Sequence, residues 1–390
     1  MNSPLGRIPR PFDPTSDSPM KIAIVQDSLI RGGAERQALY ATRELTRRGC
    51  DVEMIHYNRA PYEYNAKAQF GVEPIHVPKN RTYLRFIRRL GKYLRERRFD
   101  VVHGFMDNPT IYAGLAGRLA RVPAILGGVR VEYHSAGLAR LAHRIINRFA
   151  AGWIVNSRAA ARALEHKIGA APERVFVVYN GIDESAFKAS LSPAAAKEAL
   201  GLRPDAGVVA IVARLEPQKN HRLFLEAAAI AARRRPSARF LVVGDGPLRR
   251  EMEALASSLG VAGGVHFLGN RSDIPDILAA TDISVLSSHY EGLANVLLEA
   301  MCVGVPVLST AYPGVDELVT DGQEGFVVPL GDAEALAGRM CDLLESQPLR
   351  RRLGDRGKAT VGTRFSLEAM GTRLLSVYQE CYDRSRAARG

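Results

Sequence analysis

Short runs of aliphatic and β-branched residues recur along the chain, separated by longer segments whose apolar residues return every three to four positions. A short apolar run bounded by turn residues predicts a buried strand, and the longer period predicts an amphipathic helix. On this reading the first half carries strands at 21–26, 52–56, 101–104, 124–127, 152–155 and 175–178. The second carries them at 208–212, 239–243, 265–268, 283–286 and 305–309. Strand and helix alternate throughout, which predicts parallel sheets wrapped by helices. Periodicity lapses near 183–193 and marks a boundary. The fold class expected is therefore α/β, with two doubly wound, Rossmann-like domains facing a central cleft, and ligands at the carboxyl ends of the strands.

A chain of 390 residues is too long for one ordinary core. At 46% hydrophobic residues it is globular in composition. Cys50, Cys302, Cys341 and Cys381 lie far apart, without the spacing of a zinc site or a disulfide framework, as expected of a reducing cytoplasm. No apolar run reaches the 18 or so residues needed to span a bilayer. Residues 1–19 are polar and proline-rich and are expected to form a disordered tail.

Charge is divided unevenly. Residues 1–190 hold 30 Lys and Arg against 17 Asp and Glu, a net +13, and the remainder 23 against 24, a net −1. Much of the excess lies in 79–98, where Lys79, Arg81, Arg85, Arg88, Arg89, Lys92, Arg95, Arg97 and Arg98 face only Glu96. Tyr83, Leu84, Phe86, Ile87, Leu90, Tyr93 and Leu94 recur between them at helical spacing. Such a helix either lies on an anionic membrane surface or packs on a core with a solvated basic face. No nucleic-acid motif accompanies the charge.

Glu291 and Glu299 carry the most specific chemical signal. The stretch 295–301 is apolar, rich in helix formers and free of Gly and Pro, so Glu291 stands before a helix N-terminus and Glu299 about two turns inside it. At about 1.5 Å rise per residue their separation is about 12 Å along the axis, close to a nucleoside diphosphate in length. Backbone amides at Leu293, Ala294 and Asn295 between them form an anion site. Arg214 and Lys219 follow the first strand of the second half and would bring two cations to a departing diphosphate. Gly32-Gly33 follows the first strand and opens a helix, allowing close approach of the backbone to a phosphate.

The frame Glu291-Gly292 to Glu299-Ala300-Met301, with Gly304-Val305-Pro306 behind it, resembles the retaining glycosyltransferases of family 4. The segment 212–220 is similar to that family's Gly-Arg-Leu-x-x-x-Lys-Gly, with Ala213 and Asn220 in place of the glycines. The resemblance spans about 20–382 and implies the GT-B architecture. The implied domains are an acceptor-side domain at 20–185, a nucleotide-sugar-binding domain at 186–365 and a C-terminal helix at 366–390 crossing back to the first domain. Glu291 would hold donor-sugar hydroxyls and Glu299 the ribose, while Gly246, Asn270 and Arg271 would surround the base. His103 is expected at the transferred sugar or a phosphate. Many relatives carry a His one strand later, where this chain has Arg130, a position also open to an ion pair with Glu132. Asn180 falls at the domain hinge, without an assigned role.

The expected activity is retaining transfer of a hexose from a UDP- or GDP-type sugar to a lipid-linked or surface-glycan acceptor. No cofactor or metal is expected, since the sequence has no Asp-x-Asp pair and the cations already answer the diphosphate. The expected location is cytoplasmic, peripheral at the inner face of the membrane through 79–98. A nucleotide-sugar epimerase and an NAD-dependent oxidoreductase share the doubly wound fold. No Gly-x-Gly-x-x-Gly loop follows the first strand to favour the latter. A non-catalytic binder of sugar nucleotides or anionic lipid is opposed by the intact Arg214, Lys219, Glu291 and Glu299.

Overall fold

The computed structural model describes residues 19–60, 63–79, 82–130 and 136–388. Residues 1–18 of the expected tail, Arg81 and Glu132 lie outside them. The chain divides into two compact units. The first holds the chain through Asn156, Ala160–Val178 and everything from Met370 onward, and the second holds Ser157–Ala159 and Tyr179–Ala369.

The first unit is built on β1 (Lys21–Gln26), β2 (Asp51–His56), β3 (Ile75–His76), β4 (Val101–Gly104), β5 (Ala124–Val129), β6 (Gly152–Val155) and β7 (Val175–Val177). They form one sheet in the order β3-β2-β1-β4-β5-β6-β7. Every pairing is parallel, with Ile22 opposite both Val52 and Val101. Ile22, Ile24, Val101, Val102 and Ile154 are wholly buried, as strands covered by helices on both faces require. Right-handed crossovers put the helices Tyr83–Arg97, Asp107–Ala120 and Gly137–Asn147 together on one face. Glycines set their spacing: a Cβ on Gly91 would lie 3.1 Å from Leu119, and one on Gly114 would lie 3.1 Å from Ile146. On the other face the helix Gly33–Arg47 meets the last helix, Leu367–Ala387, where Arg48 Nη2 donates to Thr372 Oγ1 at 3.3 Å.

The second unit contains β8 (Val208–Val212), β9 (Arg239–Val243), β10 (Val265–Gly269), β11 (Ile283–Leu286), β12 (Val307–Thr310) and β13 (Gly325–Val328). Their order is β10-β9-β8-β11-β12-β13, again parallel. The order reverses between β8 and β11, where Val209 stands opposite Ile283. Loops leaving the carboxyl ends of those two strands diverge to opposite faces and open a crevice, the usual ligand position in such sheets. The two short strands β3 and β13 have no counterpart in the sequence reading.

Candidate functional site

The loops after β8 and β11 are stitched together before any charged side chain is considered. His289 N donates to Gln218 O at 2.9 Å, and Ser287 Oγ reaches Lys219 O at 2.9 Å and Asn220 O at 3.0 Å. Asn220, at φ +48°, turns the first loop into the helix His221–Arg234, and its side chain accepts from Leu223 N. This framework fixes Lys219 and Glu291 as an ion pair, Nζ to Oε1 2.6 Å. The lysine side chain is 21% exposed and the glutamate 9%. Ser288 Oγ donates to the same carboxylate oxygen at 2.7 Å. Gln218 Nε2 donates to Tyr290 O at 2.8 Å and lies 3.4 Å from Glu291 Oε2.

Arg214 is directed elsewhere. Its guanidinium is 72% exposed and pairs with Glu216 at 2.7 Å, so each of the two cations has a carboxylate of its own. The geometry thus joins Lys219 to Glu291, a link that motif reading, with one residue at the phosphate end and the other at the sugar end, did not contain.

The helix expected at 295–301 runs Asn295–Cys302. Ala294 is its N-cap and supplies no side-chain acceptor, so capping leaves the amides of the first turn to other partners. The side chains of Leu293 and Ala294 are buried, so this turn offers backbone rather than side chain. Asn180 Nδ2 donates to Leu293 O at 3.3 Å and to Asn295 Oδ1 at 2.8 Å. Asn180 therefore fixes the turn. Glu299 is 7% exposed, within the helix and far less solvated than a surface glutamate.

Gly244 N donates to Gly269 O at 2.8 Å, which lays the loops after β9 and β10 side by side. The first also bonds the 214–216 loop, through Leu215 N to Asp245 O at 3.1 Å and Leu248 N to Leu215 O at 3.2 Å. Gly246 has a packing reason to be glycine, since a Cβ there would stand 2.5 Å from Leu215 O. Asn270 and Arg271 are exposed, and Arg271 forks onto Asp273, with Nε to Oδ1 2.8 Å.

In the first unit, Gly32 is the extended N-cap of the helix Gly33–Arg47, and its carbonyl accepts from Arg36 N at 3.1 Å and from Tyr64 OH at 3.3 Å. Both glycines thus stand at the carboxyl end of β1, beside the β1/β4 reversal of strand order.

His103 lies inside the first unit. Its ring has no exposed surface, and Nδ1 lies 2.7 Å from Tyr378 OH of the last helix. Burial and the Arg130 guanidinium hold its pKa well below the usual histidine range. The ring packs beside Phe105 at 5.3 Å and Tyr378 at 5.7 Å as part of the core of this unit. Arg130 is buried too, its guanidinium 3.9 Å from the centre of the Phe105 ring, and burial lowers its pKa to about 10.

Of the two readings of the basic helix, packing on a core accounts for its inner residues: Phe86, Leu90 and Leu94 are buried in the first core, while Tyr83 and Leu84 are exposed. Arg97 bonds Glu53, Arg89 Nη1 reaches Pro78 O at 3.1 Å, and Arg95 Nη2 reaches Leu119 O at 2.6 Å. Among the described residues no helix is long and apolar enough to cross a membrane.

Residues 194–360 match the family model described as Glycosyl transferases group 1, and residues 31–186 match that of Glycosyltransferase Family 4. The lipopolysaccharide core biosynthesis glycosyltransferase LpsE of Rhizobium meliloti (strain 1021) is 39% identical over 166 residues, 43% of this chain and 48% of that protein. The chain likewise covers 49% of a putative glycosyltransferase, EpsD, of Bacillus subtilis (strain 168), so it spans about half the length of these two relatives. The UDP-Gal:alpha-D-GlcNAc-diphosphoundecaprenol alpha-1,3-galactosyltransferase of Escherichia coli is 28% identical over 355 residues, 86% of this chain and 90% of that one. Among solved structures, Anabaena Alr3699/HepE in complex with UDP and glucose superposes with a TM-score of 0.83 at 23% identity, covering 92% of this chain and 99% of that one.

Proposed function

We propose, from the premise that this chain belongs to the family 4 glycosyltransferases of the group 1 type, that it transfers a hexose from a nucleoside diphosphate sugar to a glycan acceptor with retention of anomeric configuration. The observation that carries the reading is the Lys219–Glu291 pair on the two loops that leave β8 and β11. One short contact couples a cation suited to a diphosphate with a carboxylate suited to sugar hydroxyls.

In this reading the amides around Leu293, Ala294 and Asn295, with Lys219 and Arg214, draw charge from the leaving diphosphate, and Arg214 exchanges Glu216 for phosphate oxygens. Glu299 takes the ribose hydroxyls, Gly246, Asn270 and Arg271 border the base, and Gly32-Gly33 offers backbone donors to a phosphate. The bond from the anomeric carbon to the diphosphate breaks as the acceptor oxygen bonds to that carbon on the same face. The acceptor proton passes to the leaving phosphate oxygen. Glu291, already holding Lys219 and Ser288, serves as a hydrogen-bond acceptor and not as a nucleophile. No metal is required in this scheme.

The printed activity of the E. coli relative supports a polyprenyl diphosphate-linked acceptor and a UDP-sugar donor, and the HepE complex supports UDP. The test is calorimetric binding of UDP, GDP, ADP and NAD in EDTA, to wild type and to Glu299→Ala. One nucleoside diphosphate should bind and lose affinity in the variant. Binding of NAD alone, or equal binding of UDP by both proteins, would overturn the assignment.

A further inference from the structure

Lys79 stands in a box of tyrosines. Its ammonium lies 5.3 Å from the centre of the Tyr57 ring, 5.2 Å from Tyr83 and 4.9 Å from Tyr112. Tyr57 and Tyr112 meet edge to face at 5.2 Å, and both rest on Phe86, at 5.1 and 5.3 Å. Tyr83 is stacked on Tyr112, with ring centres 6.1 Å apart and planes 8° from parallel, yet it is 61% exposed. Tyr57 and Tyr112 are buried, so two walls belong to the core and the third faces water.

Three chain segments meet here, each leaving the carboxyl end of a strand. Tyr57 follows β2, Lys79 and Tyr83 follow β3, and Tyr112 lies in the second turn of the helix Asp107–Ala120 that follows β4. Lys79 N donates to Tyr57 O at 3.0 Å, and Tyr57 N and Asn58 N donate to Asp27 O at 3.1 and 2.8 Å. Those bonds lace the box to the loop that continues from β1 into Gly32-Gly33, on the edge of a parallel sheet where ligands bind.

Packing does not explain the ammonium. A methionine or leucine would fill the same space with no charge to desolvate. Lys79 is half-buried, and among the described residues no carboxylate pairs with it. Ring faces hold a cation in place through their quadrupoles and leave its N–H donors to stronger acceptors. Holding the long side chain still removes much of the entropy that a free lysine would lose on binding. A fixed cation beside an exposed, immobilised ring matches a sugar that carries negative charge. The ring face attracts the C–H face of a pyranose, and the ammonium takes phosphate oxygens.

We infer that Lys79 and Tyr83 form an acceptor subsite for a phosphorylated sugar, with the pyranose stacked on Tyr83 and its phosphate on Lys79. This deepens the proposed function by naming the chemical class of the acceptor, and rests on that reading for the acceptor role alone.

The experiment is calorimetric titration of the full chain, saturated with UDP, with glucose and with glucose 1-phosphate. Saturation keeps the sugar phosphate off the diphosphate site proposed above. Wild type should bind glucose 1-phosphate about tenfold more tightly than glucose, the scale of one hydrogen bond to a charged group. Lys79→Met should erase that preference and Lys79→Arg should restore it. Tyr83→Ala should weaken the binding of both sugars by about threefold to tenfold. A farnesyl diphosphate-linked glucose in the same titration separates the sources of the phosphate, tighter binding assigning a lipid-linked acceptor and equal binding a soluble one. Cooperative melting shows that the variants are folded, and UDP affinity tests the donor reading separately. If Lys79→Met does not fold, Tyr83→Ala decides, since its ring is largely exposed. Failure of wild type to bind glucose 1-phosphate, equal affinity of Lys79→Met and wild type for it, or undiminished binding by Tyr83→Ala would overturn the assignment.

Discussion

Substituting Lys219 by Met tests whether the ion pair at the β8/β11 crevice is a working part or a surface contact. The pair closes at 2.6 Å with side chains 21% and 9% exposed, and Glu291 also receives Ser288 at 2.7 Å. Exposed pairs are worth about 0–1 kcal/mol and breaking fully buried ones costs about 3–5, so this half-screened contact should cost about 2 kcal/mol when its cation is removed. Glu291→Gln should cost less, about 1 kcal/mol, because the amide oxygen still accepts from Ser288 and Lys219. A double-mutant cycle by urea unfolding should return a coupling of about 1–2 kcal/mol. Turnover measured on the same proteins should fall about 10²–10³-fold for Lys219→Met, the scale for losing one preorganised group opposite developing charge. A coupling near zero together with wild-type turnover would show that the contact is an incidental surface pairing and would sink the reasoning.

Gly246→Ala should destabilise the second unit by about 1–3 kcal/mol, because the added methyl must displace Leu215 O from 2.5 Å; thermal unfolding checks it, and an unchanged melting temperature would refute the close approach. His221 is 1% exposed, and burial first, then the Lys219 charge, lowers its pKa from 6.5 to about 4. Its neutral form is favoured on folding, so stability is full above pH 6.5 and declines as pH falls towards about 4, by about 3 kcal/mol at about 1.4 kcal/mol per unit. Urea midpoints across that window should decline less in His221→Gln than in wild type, and parallel curves would refute the assignment.

Strand β1 was legible because Ile22, Ala23, Ile24 and Val25, buried on both faces, leave an unbroken apolar run, and the shorter β4 and β11 because β-branched residues stand between turn signals. β3 is two residues long, too short to hold any period, and β13 opens on Gly325, leaving three apolar residues. At the site, the Glu frame and the Lys219 loop were legible as types and spacing. That Lys219 closes on Glu291, and that Ser288 and Asn180 hold the frame, depends on which loops the strand order brings together. Ser288, two residues beyond the end of β11, was a findable signal; Asn180 was singled out without a role because its partners lie more than a hundred residues away. The helix Gly137–Asn147 shows the limit most clearly. A 3.6-residue apolar period says that one face differs from the other, and neighbours decide which face turns inward. In Tyr83–Arg97 Phe86, Leu90 and Leu94 turn inward, and in Gly137–Asn147 Asp107 and Trp153 claim His143 and Asn147 instead.

The last helix lends the first unit residues that follow the second unit in the chain. Tyr378 OH meets His103 and Thr372 meets Arg48, at sequence separations of 275 and 324. The second unit's main body, Tyr179–Ala369, is one uninterrupted stretch. The first unit therefore cannot complete its core until the whole stretch of the second has been made. A released chain truncated before Met370 should carry a protease-resistant second half behind a sensitive first one, and a chaperone should find its target at the amino-terminal end.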